Sequence, residues 1–418
     1  MKNKSLFLLV CLISGISFSS CKGIKPIETC QITVWSEPLE QQVIEKVIDK
    51  WNEENNEKYQ IKIEFSSKPA SYYMQGNIAD EKDNLPSLFY GVNDCLSNLV
   101  NNDIISIIDK KPAKEIIKNN VFVASQGFTY ESKVYGYPTI TDNGYFLWYN
   151  NEFLSEEDVK SLENIIQVSK ELGKTIYFSV DNSWYANSFV MSPQACGLQS
   201  LKWHETDDGK RYYETNWDNE IGVKVSKYIA NLISSNVDVI KRVPSYSIIN
   251  DMKYGNSIAV VSGLWMEEDY LTALNDKLSA CKLPEYHIDG KSYQMASFGG
   301  GKGYFVNKNK SEKEIQTANL LAQLLTTKEA QLLRFELTRK IPTRVDVIND
   351  EKFINVATKG DIAFAEQSKY SCVQAQVVED RYWEIADKIG AGYYQNKLEG
   401  KTWAEFLKEQ MDVLRSPK

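Results

Sequence analysis

The histidines and the glycine-rich run of this chain offer little chemistry. The two histidines, His204 and His287, lie in no H-E-x-x-H pattern, which argues against a zinc site built on several histidines. The glycine-rich run at 299–303 contains Lys302 but does not match the phosphate-binding pattern G-x-x-x-x-G-K-[ST]. We interpret this run as a strand that another backbone approaches closely.

Aromatic and acidic side chains are abundant instead. The chain of 418 residues has 9 Trp, 24 Tyr and 16 Phe, and 56 acidic against 48 basic side chains give a formal charge of -8. The basic residues are dispersed, whereas phosphate binding needs clustered Lys and Arg, so the sequence argues against a general nucleic-acid-binding protein. We interpret the basic group Arg339, Lys340 and Arg344 as charges on a solvated loop rather than as an anion pocket.

The cysteines form neither a metal-binding nor a redox motif. Of the 7 cysteines, Cys11 and Cys21 fall in the N-terminal segment, and the remaining ones have no C-x-x-C spacing. Their odd number cannot pair completely, so we predict that most are small buried residues, while the existence and pairing of any disulfide stay open. These residues are Cys30, Cys95, Cys196, Cys281 and Cys372.

Residues 1–20 have the features of a secretory signal peptide. Two lysines precede an apolar stretch at 6–13, which is too short for the roughly 20 residues that span a bilayer. The run Phe-Ser-Ser-Cys at 18–21 resembles a bacterial lipoprotein box, although its first residue departs from the usual Leu. That resemblance implies lipidation of Cys21, a tether at 21–29, and a membrane-anchored protein facing the periplasm or the cell exterior. Simple secretion with cleavage nearby is the alternative.

The spacing of apolar residues predicts an α/β protein. A strand at 31–35, a helix at 41–52 and a strand at 58–65 follow one another, which is typical of a parallel sheet covered by helices. Single cores stop growing near roughly 250 to 300 residues, so a chain of this length is expected to form two lobes. Further extended runs are predicted at 85–90, 135–150 and 176–180, and further helices at 156–172, 221–234, 312–325, 328–338 and 402–414.

Several segments, taken in order, resemble a known family. They are Val34-Trp35, 85–90 with Asp94 behind it, 134–138 leading to Tyr149-Asn150, 254–265, 299–304 and 341–344. Each piece is common alone, whereas their order and spacing are specific. Together they resemble the bacterial extracellular solute-binding proteins typified by maltose-binding protein, over essentially the whole mature chain.

The resemblance implies two α/β lobes, each a mostly parallel sheet flanked by helices, with a ligand held in the cleft between them. Binding would close the lobes by a hinge motion that the membrane permease subunits of an ABC importer recognise. A monomer is implied, with no catalytic residue, cofactor, bound metal or nucleic-acid partner. The implied bounds are 30–139 plus 297–340 for the N-terminal lobe and 142–293 plus 344–418 for the C-terminal lobe, with crossings near 138–143, 293–297 and 340–344.

The cleft residues that the resemblance implies are suited to a sugar. Flat rings pack on the apolar C–H face of a sugar, and carboxylates or amides hydrogen-bond to its hydroxyl rim. Several of these residues follow strands, and open α/β sheets bind ligands at the carboxyl ends of their strands. The implied residues are Trp35, Glu37, Asp94, Asp142, Asn143, Asn182, Trp184, Tyr185, Trp265, Glu267 and Trp383.

Other tryptophans are predicted to be structural. Trp51, Trp148 and Trp403 lie on helix or strand faces and are predicted to be core residues. Trp203 and Trp217 flank a polar segment that is predicted to be a hairpin, and we expect them to pack on the surface.

Three alternative functions stay open at this point. The same fold could bind a non-sugar solute such as a polyamine, a phosphorylated small molecule or a metal chelate. A secreted glycoside hydrolase would need two carboxylates roughly 5 to 9.5 Å apart, drawn from Glu37, Asp94, Asp142 and Glu267. A surface glycan-binding lipoprotein without an importer is the third alternative.

Overall fold

The computed structural model of the protein describes residues 28–55, 59–66, 85–206, 208–242, 247–374, 380–396, 398 and 400–418. The predicted signal peptide and the predicted lipidation site Cys21 lie outside these residues. Among the helices of the described ranges, none has both the length and the apolar character needed to cross a membrane.

Strands and helices are both distributed along the whole described chain. In chain order, the strands are β1 (Glu28–Trp35), β2 (Tyr59–Phe65), β3 (Leu88–Val92), β4 (Thr129–Tyr130), β5 (Lys133–Val134), β6 (Gly136–Asp142), β7 (Phe146–Asn150), β8 (Thr175–Tyr177), β9 (Leu201–Glu205), β10 (Arg211–Thr215), β11 (Ile240–Lys241), β12 (Ser257–Ser262), β13 (Leu278–Cys281), β14 (Glu285–Ile288), β15 (Lys291–Gln294), β16 (Ser297–Val306) and β17 (Ser371–Val373). The helices are α1 (Pro38–Glu54), α2 (Leu96–Asn101), α3 (Lys110–Asn119), α4 (Phe122–Gly127), α5 (Leu162–Leu172), α6 (Glu220–Ser234), α7 (Ile248–Lys253), α8 (Glu267–Leu274), α9 (Glu312–Leu325), α10 (Lys328–Thr338), α11 (Val345–Ile348), α12 (Glu351–Ile354), α13 (Lys359–Ser368), α14 (Asp380–Gln395) and α15 (Trp403–Arg415).

Local capping explains where the predicted helices start. The helix predicted at 312–325 is confirmed as α9, and Ser311 caps it in a reciprocal pair with Glu314. The helix predicted to begin at 156 begins instead at Leu162, because the Ser161 side chain accepts a hydrogen bond from the Asn164 N–H and fixes the first turn there. Its predicted end is confirmed, since Gly173 adopts the left-handed conformation (φ 63°) that stops the helix.

The first sheet has the strand order β17-β16-β3-β1-β2, with β6 also paired to β16. β1 runs parallel to β2 and β3, whereas β16 runs antiparallel to β3 and β6. Along β1, Ile32 and Val34 are buried between more exposed neighbours, as a sheet with one face in the core requires. α1 packs over this sheet through Val43, Ile44 and Ile48.

The second sheet has the strand order β11-β8-β12-β7-β13. β8 is parallel to β11 and β12, whereas β7 is antiparallel to β12 and β13. Both sheets are therefore mixed rather than mostly parallel. The strands next to the connections between the sheets, β6, β7 and β16, are the ones that make antiparallel pairs.

Most of the structural tryptophans lie where their sequence positions predict. Trp148 and Trp403 are buried core residues, as expected, and Trp51 is half-buried against the core of the first sheet. The hairpin that Trp203 and Trp217 flank is confirmed as β9 and β10. Trp217 is not a surface residue: it is 1% exposed, and its indole N–H donates to the Ser200 hydroxyl at 2.9 Å.

The five cysteines of the described chain are free thiols. Cys30, Cys95 and Cys372 are buried, and Cys196 and Cys281 are half-buried. Burial raises the pKa of the Cys196 thiol to about 12, which keeps it protonated and unreactive near neutral pH.

The stretches of chain that connect the two sheets lie side by side. β6 pairs with β16 on one side, and on its other side the Thr141 N–H donates to the Ile341 carbonyl at 2.9 Å. The segment at 340–344 also accepts a hydrogen bond from the Val121 N–H to the Thr343 carbonyl at 2.8 Å. The predicted crossing segments at 138–143 and 340–344 therefore form one ladder with the start of β16.

The Gln331 side chain of α10 holds the crossing segment 340–344 in place within this ladder. Its side-chain oxygen accepts from the backbone N–H groups of Thr343 and Arg344 at 2.9 and 3.0 Å, and its amide donates to the Thr343 hydroxyl at 2.8 Å. The Thr343 hydroxyl in turn donates to the Asn120 side chain at 2.6 Å. Because these groups are buried, the network fixes the path of the chain at 343–344.

A buried ion pair holds α10 against α1. Arg334 donates to both carboxylate oxygens of Glu40 at 2.7 to 3.0 Å, and the Tyr304 hydroxyl donates to the same carboxylate at 2.6 Å. Both side chains are almost fully buried. Removing one partner would leave the other as an uncompensated buried charge.

We expect Arg334→Met to lower the free energy of unfolding by about 3–5 kcal/mol, because the Glu40 carboxylate would lose its counter-charge. Urea denaturation measures the change. The control is Lys408→Met, which breaks the exposed Lys408–Asp412 pair of α15 and should cost about 0.5 kcal/mol or less. Equal losses in the two variants would contradict this account.

Candidate functional site

The carboxyl edge of the first sheet gathers most of the predicted carboxylates. β1 ends at Trp35 just before Glu37, β3 ends just before Asp94, and β6 ends at Asp142. The register pairs Val92 with Lys302 and Asp142 with Gly300, so the start of β16 lies at the same edge. Acidic side chains from separate parts of the sequence therefore lie along one rim.

The carboxylates at this rim are not equivalent. Glu37 pairs with Lys302 of the glycine-rich run, with Nζ and Oε1 2.7 Å apart. Asp94 has an accessible side chain, yet the surrounding protein removes enough water to raise the pKa of its carboxyl. Asp142 is exposed and accepts a hydrogen bond from the Asn143 N–H at 2.7 Å. Asp94 and Asp142 are thus the carboxylates without an ion-pair partner in the described contacts.

Asn143 marks the point where the chain leaves the first sheet. It has a left-handed backbone (φ 59°), and its side-chain amide donates to Gln374 at 3.1 Å. Gln374, which follows β17, is a polar neighbour that no pattern in the sequence indicated. It places a second amide at the exposed end of the crossing.

The part of the chain built on the second sheet, called here the second unit, contributes most of a group of aromatic rings. The rings of Trp184 and Trp383 have centroids 6.2 Å apart, and Trp184 packs on Phe298 at 5.2 Å. Tyr185 packs edge-on against Tyr145 at 4.7 Å. We call these five residues the aromatic group. Trp184, Tyr185 and Trp383 were predicted for the site, and the structure brings them together as half-buried side chains.

Two members of the aromatic group, Tyr145 and Phe298, were missed in the sequence because fully buried aromatics there look like ordinary core. Tyr145 donates to the Trp184 carbonyl at 3.0 Å and so supports its backbone. The predicted residue Asn182 has a similar supporting part, because its side-chain oxygen accepts from the Trp184 N–H at 2.9 Å. Asn182 therefore shapes the turn on which Trp184 lies.

The glycine-rich run connects the aromatic group to the acidic rim. Phe298 belongs to the aromatic group, and Gly300 pairs with Asp142 only two residues later. The predicted close backbone approach is confirmed: a Cβ atom at Gly303 would lie 2.3 Å from the Tyr137 carbonyl oxygen, and one at Gly301 would lie 2.6 Å from that of Ile140. β16 can therefore run next to β6 only with glycine at these positions.

Trp265 lies apart from the aromatic group, on a short 3-10 turn after β12. Its side chain is 57% exposed, and its ring lies over Gly263. The Gly263 carbonyl accepts from the Trp148 indole at 3.2 Å, which ties the turn to the core. An exposed indole held at the end of a strand fits the position that the sequence predicted for it.

Two predicted site residues are engaged in packing. Trp35 is 7% exposed and belongs to the core of the first sheet, so little of its ring remains for a ligand. Glu267 is half-buried, and burial, followed by the negative charge of Asp361, raises the pKa of its carboxyl. A Cβ atom at Gly360 would lie 2.9 Å from a Glu267 carboxylate oxygen, so this carboxylate faces the N-terminus of α13.

A separate cavity of about 410 Å³ lies between α4 with the β4–β5 hairpin and strand β9. Tyr130, Trp203 and His204 are among its lining residues, and none of the eleven predicted site residues is. Within the described residues, no cluster of three or more His, Cys, Asp or Glu could hold a metal ion.

Comparison with known proteins agrees with this architecture. A sequence model of the family described as bacterial extracellular solute-binding protein matches residues 46–360. No curated protein matches the chain. Similar solved structures include the maltodextrin-binding protein MalE1 from L. casei BL23 without ligand, with 18% identity, a TM-score of 0.68, and coverage of 93% of this chain and 99% of that one.

Two further neighbours were solved with maltose. The extracellular solute-binding protein from Staphylococcus aureus has 16% identity and a TM-score of 0.70, covering 92% of this chain and 96% of its own. The maltose-binding periplasmic protein MalE from Listeria monocytogenes has 16% identity and a TM-score of 0.65, covering 92% of this chain and 98% of its own. At these identities the likeness shows the fold, and it confirms the predicted two-lobed α/β class.

We expect Gly303→Ala to lower the free energy of unfolding by about 1–3 kcal/mol, because the added methyl group overlaps the Tyr137 carbonyl in the ladder. The control is Gly91→Ala in the paired strand, where the new atom would approach only side chains, the Phe305 ring at 3.3 Å and the Cys95 sulfur at 3.7 Å. Chemical denaturation of both variants checks the difference. A Gly303→Ala protein as stable as Gly91→Ala would show that the strands do not approach this closely.

Proposed function

The chain belongs to the family of bacterial extracellular solute-binding proteins, and we propose that it captures a sugar between its two lobes and delivers it to a membrane importer. The observation that carries the proposal is the aromatic group placed beside the acidic rim along one strand. Trp184 and Trp383 offer apolar faces, and Asp94 and Asp142 offer hydrogen-bond acceptors. A sugar needs both kinds of surface, since its ring faces are apolar and its rim is made of hydroxyls.

The proposed movement is a hinge closure at the crossing ladder. The proposed lobes comprise 30–139 plus 297–340 and 142–293 plus 344–418, so Glu37 and Asp94 of the acidic rim lie on one lobe, most of the aromatic group lies on the other, and Asp142 lies at the crossing between them. A ligand that contacts both lobes binds the closed form better than the open one, and this difference shifts the population toward closure. Recognition of the closed form by permease subunits then requires no chemical step by this protein.

Maltose or a related oligosaccharide is the first ligand to test, because structural neighbours were solved with maltose. A ligand that binds only the native state raises its stability by RT ln(1 + [L]/Kd), about 2.7 kcal/mol at a hundredfold excess over Kd. A panel of mono- and oligosaccharides screened by thermal denaturation should therefore contain at least one that raises the melting temperature.

Trp265→Ala should weaken the binding of that sugar about tenfold or more, because an exposed ring at a binding surface loses its packing contact when truncated. The matched control is Tyr254→Ala, which removes another exposed aromatic side chain, 72% accessible, from the same lobe. Isothermal titration compares the two Kd values. Wild-type affinity in Trp265→Ala would remove this residue from the site.

A polyamine is the competing ligand that the acidic rim favours. Binding dominated by charge weakens as salt rises, whereas hydrogen bonding and ring packing to a neutral sugar depend little on salt. Titration with spermidine at two ionic strengths, beside the sugar panel, separates the two.

A glycoside hydrolase is the other alternative. Of the four carboxylates that it could use, Glu37 is paired with Lys302 and Glu267 faces α13, which leaves Asp94 and Asp142. Release of reducing ends from a glycan would favour that alternative.

We also propose that lipid attached to Cys21 anchors the protein to a membrane. The family is extracellular, and the lipoprotein-like run at 18–21 supplies a cysteine that acyl chains could attach to a membrane. Cys21→Ser should move the protein from the membrane fraction to the soluble exported fraction, as measured by fractionation and intact mass. Cys30→Ser is the control and should stay with the membrane. Membrane retention of Cys21→Ser would rule out this anchor.

A further inference from the structure

Arg339 lies where α10 ends and the third crossing segment begins. It has a left-handed backbone (φ 57°) as the residue that ends the helix. Its guanidinium lies 4.3 Å from the centre of the Phe335 ring and donates to the Val356 carbonyl at 2.9 Å. These contacts hold it in one place, although the sequence suggested only a solvated loop charge.

The same guanidinium pairs with Asp361 in the first turn of α13. The Asp361 side chain is buried and also accepts from the Thr358 N–H at 3.0 Å, within the capping box that starts the helix. The pair therefore joins the start of segment 340–344 to the N-terminus of α13.

Glu267 reaches the same N-terminus of α13. A Cβ atom added at Gly360 would lie 2.9 Å from its carboxylate oxygen, and the nearby Thr358 side chain acts to lower the pKa of its carboxyl. The negative charge of Asp361 and the positive charge of Arg339 both act on it, in opposite directions. Glu267 is also the first residue of α8, two positions after Trp265. The turn that carries Trp265 and the start of segment 340–344 thus meet at one cluster of charges.

We propose that Glu267, Asp361 and Arg339 are positioning residues that couple the Trp265 turn to the crossing segment 340–344. The inference rests on the proposed function, because it takes Trp265 to contact the ligand and segment 340–344 to bend during closure. Arg339 is the counter-charge that lets two carboxylates share the N-terminus of α13. Without it, the two carboxylates repel each other, and Glu267 moves away together with the adjoining turn.

Arg339→Gln tests the coupling, with Arg344→Gln as the matched control. Arg344 lies in the same segment, and its side chain pairs with Asp346 at 2.7 and 2.9 Å rather than with the cluster. Arg339→Gln should weaken the affinity for the sugar found in the panel by about fivefold or more, the lower end of typical coupling between sites. Arg344→Gln should leave the affinity unchanged. Arg339→Lys should restore part of the loss, because it keeps the charge but not the forked geometry.

A second readout needs no ligand. Acrylamide quenching of Trp265, taken as the difference between each protein and its Trp265→Phe version, should increase in Arg339→Gln and not in Arg344→Gln. Adding Glu267→Gln to Arg339→Gln should reverse the increase, since it removes one of the two repelling charges. If Arg339→Gln fails to fold, Glu267→Ala takes its place and should also increase the quenching, because Ala, unlike Gln, removes the contact of residue 267 with the N-terminus of α13.

The two proposals fail in different ways. If no sugar binds the wild-type protein, the proposed function is wrong, while the quenching experiment still tests the cluster. If Arg339→Gln and Arg344→Gln have the same quenching, or the same affinity for a sugar that does bind, the coupling is overturned. A fall in unfolding free energy alone, with unchanged affinity and quenching, would also overturn it, because that is the effect of a merely structural ion pair.

Discussion

The close approach of strands β6 and β16 is the contact on which the rest of this structure depends. β16 hydrogen-bonds to β3 and β6 along most of its length and to β17 at its start, so one strand belongs to the first sheet and also reaches the second unit. Gly301 and Gly303 make this approach sterically possible. Because segment 340–344 continues the ladder beyond β6, a narrow band of backbone links the two units, beside a buried hydrophobic cluster that includes Val123, Phe335 and Phe364.

That band also explains how the candidate site is divided. On one side of the band, the strand ends of the first sheet present Asp94 and Asp142, and Lys302 holds Glu37. On the other side, Phe298 joins Trp184 and Trp383. The paired tryptophans and the carboxylates therefore come from different parts of the chain. In the proposed function, the sugar contacts both sets of side chains, and this requirement would link its binding to movement at the band.

The sequence predicted the elements more completely than the site. Amphipathic spacing and local caps determine helices such as α9 and α10, so their bounds can be read from nearby residues. The burial of Trp217 could not be read in this way. Trp217 shares its core with Phe406 and Leu414 of α15, more than 180 residues away in the chain, and Arg415 of that helix donates to the Thr215 carbonyl at 2.7 Å. Likewise, the pattern around Glu267 indicates an exposed strand end, whereas α13, which covers its carboxylate, comes from a distant part of the chain. The resemblance to the family supplied Trp184 and Trp383, but not Tyr145, Phe298 or Gln374, which support the site from behind or beside it.

Small-angle X-ray scattering of the mature protein, with and without a saturating sugar from the panel, tests the central claim most directly. Closure of two lobes around a ligand predicts a smaller radius of gyration with that sugar, and no change with glycerol at the same concentration. A sugar that binds with measurable affinity but leaves the scattering curve unchanged would contradict the account, because the ligand would then not be held between lobes that move.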